Sequence, residues 1–85
     1  MATGPTARED VEVNEVEDGL VIYDTGRDRV HYLNHTAALV FALCTGANSE
    51  AVIAQQVAKA FSLAEGADAE VAEALAVLER EGLLV

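Results

Sequence analysis

Cysteine and proline each occur once, tryptophan is missing, and five lysines and arginines stand against fifteen aspartates and glutamates. The lone Cys44 has no partner for an internal disulfide, which argues against a disulfide-stapled secreted scaffold and makes a reducing cytoplasm the expected setting. The shortage of cations leaves a formal charge of −10, a field that repels phosphate backbones and anionic bilayers, so neither nucleic acid nor membrane is an expected partner. The longest apolar run, Ala37 to Cys44, falls far short of a membrane span. Met1 to Ala7 has neither the basic start nor the apolar stretch of a targeting signal, so the chain reads as soluble and unprocessed. A phosphate loop, a dinucleotide fingerprint, a nucleophile elbow and a metal-hydrolase motif are all missing. The chain therefore reads as noncatalytic, with no cofactor implied.

What is present is a chain of 85 residues, 52% hydrophobic and 24% charged, a balance that folds but has room for one small domain. Residues 1–10, small and polar with Pro5 among them, show no apolar periodicity and are expected to form a flexible tail, with the domain proper spanning 11–85. Alternation begins at Val11 and Val13 and reaches turn chemistry at Glu17-Asp18-Gly19. Leu20 to Tyr23 reads as a second strand, and Gly26 in the following Asp24-to-Asp28 reversal is expected to supply a positive φ. Arg29 to Leu33 makes a third strand. Asn34 is an apt cap for an apolar helix that ends near Gly46, the expected left-handed residue after it. A second helix runs from about Glu50 to Phe61 behind Asn48 and Ser49. Asp68 is expected to cap a third, whose stripe is Val71, Leu75 and Leu78, widened by Ala74 and Val77 and stopped by Gly82. The expected fold is α+β, a three-stranded antiparallel sheet followed by three helices, similar in shape to a winged helix-turn-helix.

Reactive side chains are sparse. His31 and His35 would lie on different elements, and with Cys44 alone they make no tetrahedral metal set. Cys44 sits in an apolar helix with no nearby cation and reads as a structural thiol. Glu70 and Glu73, like Glu9-Asp10 and Glu17-Asp18, read as solvated acids.

The informative feature is an asymmetry between the two sheet edges. The first strand and its turn carry Glu12, Glu15, Glu17 and Asp18, charges that blunt strand addition. The third strand, with one cation, no acid and no proline, leaves its edge open to an extended peptide through main-chain hydrogen bonds. The third helix has more apolar positions than one seam requires, so it is expected to wall a groove floored by Val30 or Tyr32.

Tyr32-Leu33-Asn34, then Thr36-Ala37-Ala38, Leu43-Cys44-Thr45-Gly46 and Leu78-Glu79-Arg80-Glu81-Gly82-Leu83-Leu84 together resemble the PqqD-like family, the RiPP recognition elements, over about residues 11–84. His35 departs from it, since relatives often place proline at the first helical position. The resemblance implies a noncatalytic domain that captures the leader of a ribosomally made precursor peptide. The leader would add beside the third strand, at Arg29, Val30, His31, Tyr32 and Leu33, and rest on Val71, Ala74, Leu75 and Leu78 of the third helix. It further implies a standalone chaperone serving a separate modifying enzyme, such as a leader peptidase with a cyclase in lasso-peptide pathways, or a radical enzyme. Two other classes stay open: a structural subunit docked on a larger enzyme, and a winged-helix DNA binder. The latter is disfavoured because the second and third helices offer only Lys59 and Arg80 for phosphates.

Overall fold

A computed structural model describes residues 4–85; the first three residues of the expected tail lie outside the described residues. Strands β1 (Glu12–Val16), β2 (Gly19–Asp24) and β3 (Arg29–Asn34) form an antiparallel sheet in the order β1-β2-β3, followed by α1 (His35–Leu43), α2 (Glu50–Ala60) and α3 (Asp68–Arg80). The α+β architecture is the one expected. Among the described residues no helix is long and apolar enough to cross a membrane.

Local chemistry explains most boundaries. The Asn34 side chain accepts a hydrogen bond from the Ala37 amide at 2.9 Å and starts α1. Ser49 does the same for Val52 at 3.2 Å and starts α2. At the end of α3 the Leu83 amide reaches the Leu78 carbonyl at 2.9 Å and the Gly82 amide reaches Glu79 at 3.0 Å. This is a Schellman closure that requires the left-handed φ of 73° at Gly82.

Two local expectations need correction. The positive φ of the β2–β3 reversal belongs to Asp28 (53°) and not to Gly26; aspartate tolerates it, and the Asp28 carboxylate accepts a hydrogen bond from the Tyr23 hydroxyl at 2.9 Å. Asp68 is the first residue of α3 and not its cap, which is Ala67 without a side-chain bond; the acids Asp68 and Glu70 instead face the positive end of the helix dipole. Gly46 is left-handed as expected, with a φ of 87°, but it stands two residues past the Cys44 cap of α1 and presents its amide to the Pro5 carbonyl at 3.0 Å.

That last contact belongs to a wider one. Residues of the segment read as a tail lie across the domain: Thr6 bridges Thr45, and Ala7 bridges Leu84. The Arg8 guanidinium bonds the fully buried Asp24 carboxylate at 2.8 Å and the Gly82 carbonyl at 3.1 Å. Burial drives the Asp24 pKa upward, but the hydrogen bond and charge of Arg8, with help from Arg27, more than offset this and hold it below the usual carboxylate range.

The core is built around α1, which packs against β2, β3, α2 and α3 and is apolar nearly all round for that reason. Ile22, Leu33, Val40, Ile53, Val57, Val71, Leu78 and Leu83 fill it. The third helix packs on α1 and α2 but makes no close backbone approach to any strand. Thus β3 and α3 are both fixed by α1 and left apart from each other, with a space between them.

Candidate functional site

The register of the sheet decides which backbone groups of β3 are free. In an antiparallel pair, hydrogen-bonded and non-bonded residue pairs alternate. The tight turn Val16-Glu17-Asp18-Gly19 closes on a bonded pair, so Gly19, Val21 and Tyr23 direct their backbone groups to β1. Leu20, Ile22 and Asp24 therefore direct theirs to β3, where their partners are Leu33, His31 and Arg29. What remains at the outer rim of β3 is the N–H and C=O of Val30 and Tyr32, two donors and two acceptors without a strand partner.

Beside this rim lies a groove of about 350 Å³. Tyr32 and Leu33 of β3, Thr36 and Ala37 of α1, and Ala74 and Val77 of α3 supply its walls, with Glu70 and Glu73 at its margin. The expected juxtaposition of open strand and third helix is thus present, with a partly different cast. Of the residues expected to contact a peptide, Tyr32, Leu33 and Ala74 line the groove. Val71 and Leu78 are fully buried and Leu75 nearly so, all within the core stripe of α3. Val30 lies on the open outer face of the sheet, 67% exposed, next to Tyr32, whose hydroxyl donates to the Asp18 carbonyl at 3.1 Å. His31 points under the sheet, its Nδ1 3.7 Å from a Glu81 carboxylate oxygen and its buried Nε2 without a partner. Arg29 is exposed at the start of the strand.

Sequence reasoning overlooked Glu70, Glu73 and Val77 as lining residues. Their spacing held the signal: 70, 73, 74 and 77 form one helical stripe, adjacent to the core stripe of 71, 75 and 78. Reading only the apolar positions hid the second stripe. The opposite edge has a second depression, of about 330 Å³, between the β1–β2 turn and α1, flanked by Glu15 and Glu17, in keeping with an edge guarded by acids.

Cys44 is buried, and burial pushes its thiol up to about 11, so it supplies no nucleophile near neutral pH. Fold and groove together define a small α+β domain with an unpaired strand rim above a helix-walled, largely apolar cleft. The chain belongs to the PqqD family: the family model described as Coenzyme PQQ synthesis protein D (PqqD) matches residues 19–84. This is the family of RiPP recognition elements, noncatalytic accessory domains that bind precursor peptides and partner with biosynthetic enzymes. The match starts at Gly19 and omits β1, whereas the resemblance seen in the sequence began near residue 11. No curated protein and no solved structure matches the chain.

Proposed function

We propose that this protein binds the leader segment of a ribosomally synthesised precursor peptide by strand addition along β3 and presents it to a separate modifying enzyme. The observation that carries this reading is that the outward backbone groups of Val30 and Tyr32 border a groove lined by Leu33, Ala74 and Val77. Backbone pairing supplies affinity and sets the register, while the groove supplies selectivity for alternate side chains. Tyr32 and Arg29 at the rim add side-chain contacts to the bound segment. The partner enzyme is of the kind that acts on leader-bearing precursors: a leader peptidase with a cyclase, as in lasso-peptide pathways, or a radical enzyme.

The test is fluorescence anisotropy with labelled peptides synthesised from the short open reading frames that flank the gene. Saturable binding of one such peptide by this protein alone, competed by its unlabelled form, is the expected result. A protein that binds none of them, and binds only a large neighbouring enzyme, would be a structural subunit instead.

A further inference from the structure

We infer that the β3–α3 groove selects a segment with a lysine or arginine two residues from an apolar anchor, the cation being received by Glu70 and Glu73. This rests on the peptide-capture reading and names the chemistry of the peptide. Glu70 and Glu73 stand one turn apart at the groove margin, in the same stripe as Ala74 and Val77. Among the described residues no lysine or arginine lines the groove. Arg8 and Arg27 are committed to Asp24, and Arg80 lies beside Glu81. Lys59 belongs to α2, and Arg29 opens β3 at the end away from Asn34. A bound strand would shield these carboxylates from water, which is unfavourable unless it brings their counter-charge.

The spacing follows from the geometry of strand and helix. The side chain of an added strand that faces the same way as Leu33 enters the groove, and the next to do so is two residues along. Glu81, just past α3, meets His31, so α3 runs opposite to β3, and its residues 73 and 70 lie progressively beyond the level of Leu33. The anchor therefore sits against Leu33, Ala74 and Val77, and the cation follows in the direction away from Arg29. An antiparallel segment carries the cation before the anchor, and a parallel one carries it after. The net charge of −10 acts in the same sense, speeding encounter with cationic segments.

The test is selection of a displayed library of random ten-residue peptides on the full chain, followed by titration of the consensus peptide. Wild-type protein should enrich lysine or arginine two positions from an apolar residue. Glu70→Gln with Glu73→Gln should lose that enrichment and weaken the consensus peptide by about fivefold at low salt, with an unchanged circular dichroism spectrum. Glu15→Gln with Glu17→Gln, on the other edge, should bind as wild type. A consensus without a cation, or equal affinity in the Glu70/Glu73 double variant, would overturn the inference while leaving peptide capture intact. Failure to select any peptide sensitive to Val30→Pro would overturn peptide capture itself.

Discussion

Replacing Val30 or His31 by proline removes one backbone N–H in either case, yet the register makes the two outcomes differ. The Val30 amide faces the open rim, whereas the His31 amide is spent on Ile22 of β2. Proline is tolerated on an edge strand where its missing N–H faces solvent, and not where it breaks the ladder. Val30→Pro should therefore leave the fold close to wild type and deprive a bound leader of one hydrogen bond. Such a bond contributes a net ~1 kcal/mol, and the leader carbonyl left unpaired costs about 1–3 kcal/mol if water cannot reach it. Since 1.4 kcal/mol is a factor of ten, the leader's Kd should rise by roughly 5- to 100-fold. His31→Pro should instead break the β2–β3 ladder and lower stability by about 1–3 kcal/mol through the Ile22 group left unpaired, affecting binding only through the fraction unfolded. Anisotropy titration with the labelled leader, paired with urea denaturation of each variant, separates the two effects. A Val30→Pro protein with wild-type stability and wild-type affinity would refute the assignment of the Val30 amide to the binding rim.

Ser62 holds a left-handed φ of 54° where α2 ends, a conformation that costs a non-glycine residue roughly 1–2 kcal/mol. Part of this is offset by the freedom glycine adds to the unfolded chain, so Ser62→Gly should raise Tm by about 2–6 °C by calorimetry; no rise would contradict the strain. With its thiol pushed up to about 11 by burial, Cys44 should present about a hundredfold less thiolate at pH 8 than an ordinary cysteine. Iodoacetamide should accordingly label it slowly until urea unfolds the chain, and equal rates in native and unfolded protein would contradict its burial. The Asp24 carboxylate has its folded pKa below the ordinary value of 3.8, so its contribution to stability is full above about pH 4 and is lost as pH falls through the folded pKa. Urea midpoints measured from pH 7 to pH 2 should fall in the acid limb, and Asp24→Asn should show a shallower acid limb than wild type. Identical limbs would remove Asp24 from the account.

What was legible in the sequence was local. Asn34 and Ser49 announced helix starts because their short side chains reach amides three residues on, and Gly82 announced a stop because its left-handed φ suits few other residues. The strand order followed from tight turns, and the unprotected third strand from a simple lack of acids. What was illegible depended on residues far apart in the chain. Arg8, Asp24 and Gly82 meet across 16 and 74 positions, and nothing in a polar amino-terminal stretch marks it as lying across the fold. The groove was half legible. Its existence followed from an open edge and an over-apolar helix, but which stripe of α3 faces it depends on how far α1 holds that helix from β3. That distance placed Glu70, Glu73 and Val77 at the groove and kept Val71, Leu75 and Leu78 in the core, so Leu75→Asp or Leu78→Asp would unfold the domain before reporting on binding.

Amide hydrogen exchange resolved residue by residue along Arg29 to Asn34, with and without saturating leader peptide, reads strand addition at β3 one backbone group at a time. New protection should appear at Val30 and Tyr32, whose amides face the rim, while His31 and Leu33, already paired with β2, should change little. Equal exchange at Val30 and Tyr32 in the free and saturated protein would contradict strand addition at this edge.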